Sequence, residues 1–390
     1  VNVAFVRPRL GLGGAERLVV DAARELTRRG HRVVIHAPAV RGAPQFDDVG
    51  KGAVSLRDAG GFLPTSVFGR LRAPSALLRA AHAALSAARA APDVICCDVV
   101  AHVVPLLRRI TRARLVFYCH YPDALLAPAA SRAVSGYALY RRPLDALEAA
   151  GLRAADRVLV NSRFTAAALR RLVPSLEPLV VYPGIETARF AAAPAPRPSG
   201  EAQLLCLARF DPRKGLGLAL EALGALRARL APERHREVAL VYAGHLEPAW
   251  PEARRTLDGL RQRAADLGLA EQVRFAVSPS DAEVMRLLHG SRAVVSTAPD
   301  EHFGYVPLEA MAAGRPVVAA LGSGPAETIR DGETGRLCPA TPEAYADALA
   351  GWIDDPALAA RLGAAGRAHV AASFSLQRFG GELEAALKPG

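Results

Sequence analysis

Residues 1–36 read VNVAFVRPRLGLGGAERLVVDAARELTRRGHRVVIH, and their order of patterns decides the fold. Val3 to Val6 is a short apolar run, Gly11 to Gly14 a glycine turn, Leu18, Ala22, Ala23 and Leu26 a helical period, and Val33 to Ile35 a second apolar run. That is strand, turn, helix, strand. Further runs at Val94 to Cys96, Leu115 to Tyr118 and Val158 to Val160 are spaced widely enough for crossover helices, so the strands are expected to run parallel. A second copy of the pattern begins at Leu204 to Leu207 and continues through Val238 to Ala243, Val273 to Ala276, Ala293 to Ser296 and Pro316 to Ala320. Residues 191–200, AAAPAPRPSG, resist regular structure and separate the two copies as a linker. The reading is an α/β chain of two Rossmann-like parallel-sheet domains, residues 1–190 and 201–373, facing each other across a cleft. Ligands are expected at the carboxyl ends of the strands. Residues 374–390 form a helix-like segment that can pack back across the boundary onto the first domain.

Composition supports a folded protein: of 390 residues, 51% are hydrophobic and 22% charged. The five cysteines, Cys96, Cys97, Cys119, Cys206 and Cys338, contain no Cys-x-x-Cys pair, so neither a zinc site nor a disulfide framework is signalled, and a reducing compartment fits. No run of about 18 uninterrupted apolar residues marks a spanning helix. The first residue is Val, which leaves room for an anchor or signal upstream of this sequence. A net charge of +11 implies an anionic partner, either a phosphorylated substrate or an acidic membrane surface. Nucleic acid is disfavoured, because the arginines are scattered and no basic stripe is interleaved with aromatics.

The glycine turn invites a dinucleotide reading, yet Glu16 stands where the third glycine of G-x-G-x-x-G belongs, and the second strand ends in His36, Ala37 and Pro38 without a ribose-binding acid. A dehydrogenase is therefore set aside. Gly13 and Gly14 remain able to bring backbone N–H groups to an anion at a helix start, or simply to make a tight turn.

The strongest local signal is Glu301 to Glu309, EHFGYVPLE, which places one acid in a loop and the other near the start of a helix. Gly304 permits unusual backbone, Pro307 suits a first helical turn and Gly314 a C-terminal cap. Glu301 can accept sugar hydroxyls and Glu309 can grip a ribose. Gly304, Tyr305 and Val306 open the helix, whose N-terminal amides suit a diphosphate. Arg209 and Lys214 follow the first strand of the second domain in ARFDPRKG, where two cations can hold a leaving diphosphate. Lysine occurs three times in the chain, so Lys214 runs against its arginine bias. His120 follows the strand Leu115 to Tyr118, and Gly324 sits in a further glycine turn, GSGPAE, read as preceding a helix and completing a phosphate or ribose pocket.

Together these motifs resemble the retaining glycosyltransferases of GT-B architecture. Within them the chain is similar, along nearly its full length, to the eukaryotic dolichol-pathway mannosyltransferases that add the second and third mannoses of the asparagine-linked glycan precursor. The resemblance rests on Gly-Gly-Ala-Glu-Arg-Leu-Val at 13–19, Phe-Tyr-Cys-His-Tyr-Pro-Asp at 117–123, Val-Asn-Ser-Arg-Phe-Thr-Ala at 160–166 and Glu-His-Phe-Gly-Tyr-Val-Pro-Leu-Glu-Ala-Met at 301–311. It implies GDP-mannose as donor and a lipid-pyrophosphate chitobiose bearing one mannose as acceptor, with α1,3 and then α1,6 transfer. It also implies an anionic membrane surface and a glycosyltransferase complex as partners, at the cytosolic face of the endoplasmic reticulum. By the same resemblance Glu301 and His120 meet the sugar, Glu309 the ribose, and Arg209 and Lys214 the diphosphate. No Asp-x-Asp occurs to bridge a cation to the donor, so transfer without metal or cofactor is expected. Two alternatives stay open at this point: a GT-B hexosyltransferase acting on a bacterial lipid or polysaccharide, and a non-catalytic nucleotide-sugar-binding subunit.

Overall fold

A computed structural model of the chain describes residues 1–11, 13–38, 49, 52–64, 72–126, 135–191, 201–247 and 250–388. The chain divides into two units, Val1–Gly184 with Leu376–Gly390, and Ile185–Ser375. The division falls at Gly184 rather than at 190; of the expected linker 191–200, Ala191 ends the helix Thr187–Ala191 and residues 192–200 lie outside the described residues.

The first unit is built on a sheet of β1 (Asn2–Val6), β2 (Arg32–Ala37), β3 (Ser55–Asp58), β4 (Val94–Asp98), β5 (Arg114–Cys119), β6 (Arg157–Val160) and β7 (Leu179–Val180). Their order is β3-β2-β1-β4-β5-β6-β7, all parallel. Parallel strands need crossovers, and the crossover helices cover both faces. That is why β4, Val-Ile-Cys-Cys-Asp, is buried at every position and reads as a continuous apolar run ending in an acid. Cys96, Cys97 and Cys119 lie within this core as free thiols. Burial, aided by the neighbouring Asp98, pushes the Cys97 thiol up to about 12, so it packs as a small apolar group.

The second unit repeats the plan with β8 (Ala202–Leu207), β9 (Val238–Gly244), β10 (Val273–Val277), β11 (Ala293–Val295), β12 (Val317–Ala320) and β13 (Gly335–Cys338), in the order β10-β9-β8-β11-β12-β13 and again parallel. Its core gathers Leu204, Leu220, Leu240, Val295, Val318, Tyr345 and Trp352.

In both sheets the strand order reverses beside the first strand, at β1/β4 and at β8/β11. Ligand sites of doubly wound sheets form at the carboxyl ends flanking such a reversal. The C-terminal helix, Leu376–Leu387, belongs to the first unit and packs on the helix Gly14–Arg28. Arg29 fixes it, donating to the Gln377 carbonyl at 2.6 Å and pairing with Glu384 at 3.3 Å.

Candidate functional site

In the second unit, the turn after β8 carries Arg209 and Lys214. Phe210 is buried and anchors it, with its N–H donating to His245 O at 3.3 Å. Asp211, whose side chain is 1% exposed, caps the 3₁₀ turn Pro212–Lys214 by accepting from Arg213 N at 3.0 Å, and it also receives the Arg213 guanidinium at 3.0 and 2.7 Å. Burial alone would raise its pKa, but the Arg213 hydrogen bonds and the charges of Arg213 and Arg209 outweigh that and hold the carboxyl below its ordinary range. Arg213 is thereby engaged with Asp211. Arg209 stands further off, at 3.6 Å, with 61% of its side chain exposed.

Lys214 reaches the other way. Its Nζ donates to Glu301 Oε2 at 2.7 Å, and its carbonyl accepts from Thr297 Oγ1 at 2.7 Å, so the turn after β8 is tied to the segment after β11. Adjacency of β8 and β11 at the reversal makes this contact available.

The segment from Glu301 leads into the helix Tyr305–Ala312. Gly304, the N-cap, sits at φ 97° and ψ 70°, a left-handed backbone that a side chain would strain. Gly324 is required by proximity: a Cβ there would lie 2.4 Å from the His302 carbonyl group and from Phe303 N. Its N–H donates to Glu301 O at 2.7 Å, so Gly324 acts by seating the Glu301 loop, its amide being already used. The element that follows is a 3₁₀ turn, Gly324–Glu327, and not the helix expected from the sequence. Phe303 is buried, packing edge-on to Tyr305 at 5.6 Å and against Phe374.

Tyr305 and Val306 open the helix Tyr305–Ala312, at the end of a helix that attracts anions. Glu309 is the fifth residue of this helix and partly exposed. The second unit thus brings Arg209, Lys214, Glu301, Gly304, Tyr305, Val306, Glu309 and Gly324 onto three neighbouring segments at the carboxyl ends of its strands.

In the first unit, His120 follows β5 and Gly13 and Gly14 open the helix Gly14–Arg28, with Gly13 as an N-cap lacking a side-chain cap. The sequence reading missed two residues beside them. Val6 pairs with Cys97 in the β1/β4 register, so the residues that follow, Arg7 and Asp98, are neighbours at the reversal. Arg7 Nη1 lies 3.2 Å from Asp98 Oδ2, and the same oxygen meets His120 Nε2 at 2.9 Å. An acid closing an apolar strand was the available signal. Thr165, from the 160–166 motif, donates to His120 O at 3.1 Å and fixes its backbone.

Among the described residues no three His, Cys, Asp or Glu side chains converge as metal ligands, and no helix is long and apolar enough to cross a membrane.

Comparison with known proteins gives two family matches that divide the chain, Glycosyltransferase Family 4 over residues 12–189 and Glycosyl transferases group 1 over residues 189–369. The chain is 36% identical over 397 residues to the human alpha-1,3/1,6-mannosyltransferase ALG2, covering 98% of this chain and 94% of that protein. It is 33% identical to the Rhizomucor pusillus protein of the same name, covering 99% and 91%, and 32% identical to that of Saccharomyces cerevisiae, covering 89% and 76%. Similar solved structures include sucrose-phosphate synthase from Thermosynechococcus elongatus, with a TM-score of 0.78 at 23% identity and coverage of 98% and 97%. Anabaena HepE in complex with UDP gives a TM-score of 0.75 at 19% identity and 99% coverage of both chains. These two likenesses concern the fold.

Proposed function

Since this chain belongs to the alpha-1,3/1,6-mannosyltransferase ALG2 family, we propose that it moves mannose from GDP-mannose to a dolichol-pyrophosphate-linked Man-GlcNAc2 acceptor, α1,3 and then α1,6, in N-glycan precursor assembly. It is a glycosyltransferase of the GT-B fold, and its donor site is read as the cluster in the second unit.

The observation that carries the site assignment is the 2.7 Å contact of Lys214 with Glu301. A cation for the diphosphate and an acid for the sugar hydroxyls stand side by side, as they must if one donor molecule is to span both. Loss of the nucleotide diphosphate concentrates negative charge on its terminal phosphate. Lys214, Arg209 and the helix start at Tyr305 and Val306 meet that charge without a metal ion, and preorganised donors of this kind act mainly on the transition state. Glu309 takes the ribose. Gly304 and Gly324 hold the loop in which Glu301 is presented. In the first unit, taken by itself, His120 is read as meeting the sugar and Gly13 and Gly14 as offering backbone N–H groups to an anion.

Charge distribution supports an anionic acceptor and an anionic membrane surface. The first unit, residues 1–184 with 376–390, holds 28 Lys and Arg against 15 Asp and Glu, whereas residues 185–375 hold 21 against 23. The excess positive charge lies wholly in the first unit, where attraction to a pyrophosphate lipid at the cytosolic face of the endoplasmic reticulum would act. The protein is read as held there either peripherally or by an anchor outside this sequence, within a glycosyltransferase complex.

The test is incubation with GDP-mannose, UDP-glucose and other sugar nucleotides together with a synthetic lipid-pyrophosphate Man-GlcNAc2, reading product mass and linkage. Two successive mannose additions, α1,3 and α1,6, are expected. Transfer only from UDP-glucose would overturn the donor, and transfer only to a bacterial lipid or polysaccharide would overturn the acceptor. Binding of GDP-mannose with no GDP released would leave a non-catalytic subunit.

A further inference from the structure

Arg7 is 2% exposed and serves four neighbours at once. Its Nη1 donates to Ala15 O at 2.6 Å and lies 3.2 Å from Asp98 Oδ2, its Nε donates to Arg9 O at 3.1 Å, and its Nη2 stands 3.6 Å from Glu16 Oε1. Glu16 in turn folds over Gly13, where its Oε2 occupies the space a Cβ would need. One guanidinium therefore joins the end of β1, the glycine turn and the acid that closes β4. Asp98 passes the connection on, its Oδ2 meeting His120 Nε2 at 2.9 Å.

Three features argue that this chain of contacts is more than a stabilising pair. Buried ion pairs are poor stabilisers, because desolvation offsets their attraction. Among the described residues Asp98 Oδ1 is buried with no hydrogen-bond partner, an arrangement that costs stability. Finally, Val99 beside it holds φ at 67°, a left-handed backbone that strains a β-branched residue. Unfavourable features of this kind gather where function requires a fixed geometry.

We propose that Arg7 and Asp98 are positioning residues of the transfer reaction. Asp98 fixes His120 in the tautomer protonated at Nε2, leaving Nδ1 to accept a hydrogen bond from a sugar hydroxyl, and Arg7 locks the glycine turn to the same point. A carboxylate only accepts, so in the neutral ring the proton facing it must reside on Nε2. The proposal rests on the reading that His120 meets the sugar.

The test is side-chain ¹⁵N spectroscopy of the full chain labelled at histidine, at neutral pH, with the His120 signal identified by its loss in His120→Gln. A ring protonated at Nε2 is expected in the parent. In Asp98→Asn, whose amide can donate, the proton should move to Nδ1. Turnover with GDP-mannose and the lipid-linked acceptor should then fall on the order of 10- to 100-fold in the folded variant, the worth of one charged hydrogen bond, while donor KM stays near the parent value; the melting temperature should fall, because the buried Arg7 charge loses its Asp98 partner. Arg7→Lys should lower turnover in the same direction, because an ammonium lacks the guanidinium fork that reaches Ala15, Asp98 and Arg9 together. A parent ring protonated at Nδ1 with bare Nε2 overturns the proposal, and so does Asp98→Asn turning over within about twofold of the parent. Should Asp98→Asn fail to fold, the parent tautomer decides. His120→Ala with normal turnover refutes the sugar-facing role itself, separately from the tautomer.

Discussion

Lys214 Nζ and Glu301 Oε2 meet at 2.7 Å across two loops that are 87 residues apart in sequence, and each side chain is about one-quarter exposed. A pair this accessible contributes little to folding, about 1 kcal/mol or less. Its value is that both groups remain open to a ligand.

Lys214→Ala should therefore leave the melting temperature within a few degrees of the parent and lower kcat at saturating donor by roughly 10²- to 10³-fold, the usual loss when one donor to a developing anion is removed. Steady-state kinetics beside a thermal melt separates the two effects. Near-normal turnover would mean that another cation, Arg209 first, carries the leaving group.

Glu309→Ala tests a different link. If Glu309 holds the ribose equally in ground and transition states, its loss weakens donor binding by roughly tenfold and changes kcat little. Calorimetric titration with GDP-mannose reads it directly. An unchanged dissociation constant would move the ribose contact to another residue.

Gly324→Ala examines the support beneath Glu301. The added Cβ would press at 2.4 Å on the backbone of His302 and Phe303, which cannot swing aside as a long side chain could. The Glu301 loop must move, with a stability loss of about 1–3 kcal/mol and a fall in turnover greater than stability alone explains. Unaltered kinetics in the folded variant would show that the loop position is not critical.

How much of this was legible in the sequence follows from where each residue lies. The continuous apolar runs of β1, β4, β5, β8 and β9 announce strands buried on both faces. β3, β7 and β13 are sheet edges that went unread because none carries a sustained apolar run: Ser55–Asp58 is mostly exposed, Leu179–Val180 has two residues, and Gly335–Cys338 is broken by Arg336. Glu301, Glu309, Arg209 and Lys214 were visible because glycine, proline and charge stand together at strand ends. The Arg7–Asp98 pair was not, since joining residues 91 apart requires knowing that β1 lies beside β4. Likewise, GSGPAE shows its turn but not that Gly324 spends its N–H on Glu301.

His36 gives a pH dependence outside the site. It ends on β2, 1% exposed, with Nδ1 3.0 Å from Ser86 Oγ, and burial, reinforced by Arg57, lowers its pKa from 6.5 to about 4. A depressed histidine is neutral in the folded chain while the unfolded chain already takes up a proton, so the unfolded state binds more protons between those values. Stability from this residue is intact above about pH 6.5 and is lost as pH falls toward about 4, on the order of 2 kcal/mol across that window. Denaturant melts at pH 7.5, 6, 5 and 4.5 should show the decline, and His36→Gln, which cannot titrate, should flatten that part of the curve. An equal slope in the variant would assign the acid sensitivity to other groups.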